Sequence, residues 1–238
     1  VPETLVLLHG FGGTHRTWDG VVERLDPERY RPLALDLPGH GGAADHPWPI
    51  RFEDCVRAVL AAAPERFALC GYSLGGRVAL HVALAAPERV TRLYVIAANP
   101  GIDDFAERAA RLASDERLAQ RLEAGRFEDF IESWRTQPLF AADPPAVGEL
   151  ARAEQRRNDP LPLAAAMRGL SVGAMEPLWD RLGELAIPVT FLAGERDAKF
   201  RAIGERFVRV CPGARTLVVE GGHALPLENP QAVAASLQ

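Results

Sequence analysis

Lysine is almost missing from this chain: of its 27 basic residues only Lys199 is lysine, and the rest are arginines with no basic stripe along any segment. Acidic residues number 32 and the formal net charge is −5, so the electrostatic footprint that gathers nucleic acid is lacking and such a partner is excluded. Cysteine is scarce as well. Cys55, Cys70 and Cys211 are odd in number and far apart, with no Cys-x-x-Cys, which excludes a disulfide framework and a zinc site and fits a reducing setting. Apolar runs fall well short of the ~20 residues that span a bilayer, and no charged, apolar and cleavage-site succession opens the chain. Membrane insertion is therefore not expected, and the cytoplasm is the expected location. The first residue, Val1, is not methionine and leads almost directly into a strand pattern, so a few native residues ahead of it are expected to be absent. Repeats and low-complexity tracts are lacking too. At 238 residues, one large core with an insertion is the expected organisation.

Short apolar runs alternate with helical patterns over the first hundred residues. Residues 4–8 form a continuous aliphatic run, as in a strand buried on both faces of a parallel sheet. Trp18, Val21, Val22 and Leu25 fall at helical spacing, and Pro27 closes that stretch. Strands follow at 31–36, 67–70 and 91–97, with helices at 51–63 and 76–86 between them. This rhythm predicts βαβ crossovers and an α/β fold: a mainly parallel, doubly wound sheet in the order second, first, third, fourth, fifth, sixth.

From Asn99 the pattern turns to helices alone. Asp103 or Asp104 can cap a helix at Phe105, Ser114 can cap a second that Gly125 ends, and Phe127, Phe130, Ile131 and Trp134 share one face of a third. Residues 152–157 are dense in charge, and Pro160 can open a further helix through Met167. Strands resume at 188–193 and 214–219. The expected division is a core of residues 1–99 and 181–238 with a helical lid, 100–180, inserted in it.

Gly71-Tyr72-Ser73-Leu74-Gly75 lies between the third strand and its helix, the context in which Gly-x-Ser-x-Gly forms a sharp turn exposing the serine. Ser73, Asp197 and His223 follow in the order serine, acid, histidine, each just past the end of a predicted strand, where open α/β sheets place their sites. His223 would take a proton from Ser73 or from substrate, and Asp197 would hold the imidazole tautomer. Glu195 and Asp36 are rival acids. His40, in Asp36-Leu37-Pro38-Gly39-His40-Gly41, reads as part of a tight turn rather than as catalytic. The backbone N–H groups of Phe11 and Leu74 are the expected oxyanion donors. Arg77, one helical turn beyond Ser73, places positive charge near a helix N-terminus, where an anionic ligand or, equally, a structural salt bridge should compensate it.

With Leu8-His9-Gly10-Phe11, Gly71 to Arg77, Glu107 to Arg111, Trp134 to Phe140 and Gly194 to Phe200 in view, the chain resembles the α/β-hydrolase fold. Within that fold it is similar to the 2-succinyl-6-hydroxy-2,4-cyclohexadiene-1-carboxylate synthase family of menaquinone biosynthesis. The resemblance implies a lyase without cofactor or metal, whose triad removes a substrate proton and drives pyruvate out. It implies arginines at Arg77, Arg111 and Arg156 that bind a small carboxylate-bearing substrate, with Tyr72 and Trp134 lining the site; bidentate guanidinium pairing suits carboxylates. Two departures stand out: Pro226 occupies the place of a second histidine often found in the family, and the chain starts too late to hold the fold's first two short strands. A serine hydrolase of esters or carbon-carbon bonds shares the triad and is the alternative. An idle binding protein on the same fold is a third reading, disfavoured because no triad member is missing. Oligomeric state is not legible.

Overall fold

The computed structural model describes residues 1–45 and 47–238. Six strands form one sheet: β1 (Glu3–Leu8), β2 (Tyr30–Leu35), β3 (Phe67–Tyr72), β4 (Val90–Ile96), β5 (Val189–Gly194) and β6 (Ala214–Val219). Their order is β2-β1-β3-β4-β5-β6 and every pairing is parallel, as the βαβ rhythm requires. β3 and β5 are buried at every position, which is why they read as nearly continuous apolar runs, Thr190 being the polar exception in β5.

The helices are α1 (Asp19–Val22), α2 (Phe52–Ala62), α3 (Leu74–Ala85), α4 (Phe105–Glu123), α5 (Phe127–Arg135), α6 (Pro145–Gln155), α7 (Pro160–Gly169), α8 (Ala198–Val210), α9 (Leu225–Glu228) and α10 (Pro230–Leu237). Before α1 lies a 3-10 turn, His15–Trp18, so the helix expected from Trp18 onward is shorter than its apolar spacing suggests. Trp18 and Val21 are nevertheless fully buried.

Helices α4 to α7 occupy the stretch between β4 and β5 and carry a small core of their own, Ala119, Leu122, Phe130, Ile131, Leu163, Ala164 and Met167. Phe11, from the loop after β1, packs against that core. The ends of the insertion are tied together where Leu178 N–H donates to Pro100 O at 2.8 Å and Trp179 Nε1 donates to Gly101 O at 2.9 Å. The expected break at Ser114 is absent, and α4 runs through it. Asp104 caps the helix by accepting from Glu107 N–H at 2.7 Å, and no glycine or proline follows until Gly125. The Arg111–Asp115 pair, one turn apart, spans Ser114 and favours continuation of the helix. No helix among the described residues is long and apolar enough to cross a membrane.

Candidate active site

Ser73 sits at the junction of β3 and α3 with φ 52° and ψ −109°, a conformation that side chains rarely adopt. The turn is held because Ser73 N–H donates to Ile96 O at 2.8 Å and Ser73 O accepts from Arg77 N–H at 3.2 Å. Glycine is obligatory on both sides: a Cβ on Gly71 would lie 2.1 Å from Gly75 O, and one on Gly75 would lie 2.1 Å from Leu8 O. Ala97, after β4, is the other non-glycine residue with positive φ among the described residues, and it lines the same cavity as Ser73.

His223 follows β6 and is 1% exposed. Its Nδ1 lies 2.8 Å from Asp197 Oδ2 and its Nε2 lies 3.3 Å from Ser73 Oγ. A carboxylate only accepts, so Nδ1 carries the proton and Nε2 is left to accept from the serine hydroxyl. Asp197 is itself held by Phe200 N–H, which donates to Oδ1 at 3.2 Å at the start of α8. Behind His223, Gly222 N–H donates to Glu228 Oε2 at 2.7 Å, and Glu228 is paired with Arg196. Tyr72, Phe140 and Phe200 surround the imidazole with ring centroids 5.5, 5.8 and 4.8 Å away.

The rival residues are engaged elsewhere. Asp36 binds His15 Nδ1 at 3.0 Å and accepts from Gly42 N–H at 2.8 Å, while Glu195 is exposed. His40 is fully buried with Nδ1 3.2 Å from Pro38 O, and burial followed by the nearness of His9 pushes its pKa down to about 3. His9 donates from Nδ1 to Gly10 O at 2.7 Å and accepts from Leu37 N–H at 3.0 Å, tying the loop after β1 to the loop after β2. Burial lowers its pKa to about 4, which fits the neutral ring that this pair of bonds needs. The tie holds Gly10 and Phe11 close to the serine: a Cβ on Gly10 would meet the Tyr72 ring at 2.8 Å and Ser73 Cβ at 3.4 Å. Leu74, the first residue of α3, directly follows Ser73.

The cavity over Ser73 has a floor of sheet-end residues and a roof from the insertion, including Trp134, Gln137, Phe140 and Leu170. Arg77 is 9% exposed, donates to Leu170 O at 2.6 Å and faces the cavity. Burial, then the charge of Arg111, pushes its pKa down to about 9, so it remains a cation at neutral pH. Arg111 also lines the cavity, its Nε shared between the two oxygens of Asp115 at 2.9 and 2.8 Å. Asp115 is buried and accepts a further bond from Ser171 Oγ at 2.6 Å. Arg156, expected beside these two, is placed elsewhere: it is exposed and forks onto Glu128 on the surface of the insertion, with Nη2 2.9 Å from Oε2. It does not line the cavity. Asp115, Gln137 and Lys199 face the cavity without having been given a site role from the sequence. Lys199 lies two residues past Asp197, so its motif was in view, whereas Asp115 gave only its spacing from Arg111. Among the described residues there is no cluster of His, Cys, Asp or Glu able to hold a metal.

Residues 5–236 match the model of the Alpha/beta hydrolase family. The chain is 36% identical over 238 residues to the 2-succinyl-6-hydroxy-2,4-cyclohexadiene-1-carboxylate synthase of Salmonella paratyphi C (strain RKS4594), a match covering 98% of this chain and 92% of that protein. Its structure is similar to that of MenH from S. aureus, with a TM-score of 0.89 at 29% identity, covering 99% of this chain and 91% of that one. An enol-lactonase from Burkholderia xenovorans shares the fold, with a TM-score of 0.82 at 19% identity over 100% of this chain and 90% of that one.

Proposed function

Since the chain belongs to the alpha/beta hydrolase family and is an enzyme of it, we propose that it is a carbon-oxygen lyase that expels pyruvate from 2-succinyl-5-enolpyruvyl-6-hydroxy-3-cyclohexene-1-carboxylate. Ser73, His223 and Asp197 act together as the base. The observation that carries this reading is the company the serine keeps: Arg77 and Arg111 line one cavity with a hydrogen-bonded Ser-His-Asp set. A neutral ester offers such arginines nothing to bind, whereas a substrate with several carboxylates does.

The chemistry follows from the substrate's own bonds. The ring carbon bearing the succinyl group is flanked by a carbonyl and by a carbon-carbon double bond, so its hydrogen is acidic. Ser73 Oγ, with its proton passed to His223, removes that hydrogen, and the charge develops on the succinyl carbonyl oxygen. The amides of Phe11 and Leu74 are the donors we assign to that oxygen, the second at the N-terminus of α3. A new C2=C3 bond then forms, the C3=C4 pair moves to C4=C5, and the C5–O bond breaks. Enolpyruvate leaves, takes up a proton and becomes pyruvate. Asp197 keeps the imidazole in the tautomer that accepts at Nε2 and stabilises the imidazolium. The insertion acts as a lid: Phe140 and Trp134 cover the cavity and limit the water that could divert the reaction toward hydrolysis.

The test is to supply the enolpyruvyl substrate and follow pyruvate with a coupled dehydrogenase. One pyruvate per substrate consumed is expected. Absence of pyruvate alongside turnover of neutral esters would instead favour a serine hydrolase, whose acylation would use the same triad.

A further inference from the structure

Lys199 is the second residue of α8, two positions after the capping residue Asp197. A cation in the first turn of a helix opposes the macrodipole, so the helix itself gains nothing from it. It also makes no ion pair: among the described residues no carboxylate lies within 4.0 Å of its Nζ, in a chain where most arginines near the cavity and on the insertion are paired. Its ammonium rests 5.7 Å from the centroid of Phe200, beside His223, and it lines the cavity with Ser73, Arg77 and Arg111. Of the three cations facing the cavity, only Arg111 has a protein carboxylate, Asp115. Two positive charges, one buried at Arg77 and one exposed at Lys199, therefore face the cavity without a counter-charge of their own.

We propose that Lys199 is a specificity-determining residue that takes a substrate carboxylate, so that the cavity selects ligands with at least two carboxylates, one for Arg77 and one for Lys199. This rests on the carboxylate-recognising reading above and gives Lys199 the part that the sequence assigned to Arg156. The surroundings agree with it. Partial desolvation of its ammonium by the surrounding protein, and then Arg111, lower the lysine's pKa against the pull of Asp197 and Glu107, so a bound carboxylate relieves repulsion as well as supplying a hydrogen-bond acceptor.

Three measurements test it. In Lys199→Met, KM for pyruvate release should rise about ten- to a hundredfold with a smaller change in kcat, and Lys199→Arg should recover part of the loss, since charge is kept while the compact ammonium is not. The thermal midpoint of Lys199→Met should match wild type. Binding of propane-1,2,3-tricarboxylate, measured by calorimetry, should weaken by a similar factor in Lys199→Met. Because the chain has one lysine, the same tricarboxylate should also protect Lys199 from trinitrobenzenesulfonate, read on its peptide by mass spectrometry. Unchanged KM and unchanged tricarboxylate binding in Lys199→Met, or labelling that the tricarboxylate does not slow, would overturn the proposal. Weakened tricarboxylate binding in an enzyme that releases no pyruvate would uphold Lys199 while rejecting the lyase reading.

Discussion

A strained serine backbone is retained only where its surroundings over-determine it, and at Ser73 two close glycine contacts and two backbone hydrogen bonds do so. Ser73→Ala and His223→Ala should each remove most pyruvate release while leaving the urea midpoint near wild type. Their double variant should be scarcely worse than either, because members of such a unit lose their effects together. Near-normal turnover by Ser73→Ala, or losses that multiply in the double variant, would contradict the assignment. That Ser73, His223 and Asp197 would meet was legible because order and position carry it: a residue just past a strand end is placed by the strand. Arg156 was not legible for the opposite reason. Its guanidinium sits at the end of a long side chain on the insertion, and whether it points to the cavity or to Glu128 depends on how α5 and α6 pack, which local spacing does not encode.

Among the elements, α4 shows how an ion pair with a buried carboxylate can override a capping signal. Ser114 suits a helix start, yet Asp115 beside it is committed to Arg111 one turn back in α4 and to Ser171, and the second bond ties α4 to the loop that follows α7. Asp115→Ala should cost about 1 to 3 kcal/mol of stability, below the roughly 3 to 5 kcal/mol for breaking a fully buried pair, because Arg111 is partly exposed. It should also raise KM, since Arg111 loses the group that orients it. Urea titration and pyruvate-release kinetics on the same variant check both effects, and no change in either would show that Asp115 is not what holds Arg111. The start, Asp104, and the end, Gly125 with φ 74°, were readable from local chemistry, while the continuity between them was not.

For the whole molecule, the parallel sheet and its strand order follow from the alternation of apolar runs and amphipathic stretches, and the observed order agrees with that expectation. Less visible in the sequence is the set of histidines that the fold holds neutral, His9 and His40 fully buried and His81 partly so. Burial, the leading cause in each case, lowers the pKa to about 4 in His9, about 3 in His40 and about 4 in His81. Unfolded, they would titrate at ordinary values near 6.5, so the unfolded chain binds more protons between those limits. The stability they contribute is whole above about pH 6.5 and is lost progressively as the pH falls toward 4. The urea midpoint should therefore drop between pH 7 and pH 5, before the paired carboxylates protonate; equal midpoints would contradict it. The central claim, that this fold holds its triad under a carboxylate clamp, is tested most directly by kcat/KM for pyruvate release in wild type and Arg77→Ala, with a neutral ester as the second substrate. The expected result is a loss of about 1.5 to 3 kcal/mol of transition-state stabilisation, roughly ten- to a hundredfold, on the carboxylated substrate and a much smaller one on the ester. Equal losses on both substrates would mean that Arg77 supports the fold and not the substrate.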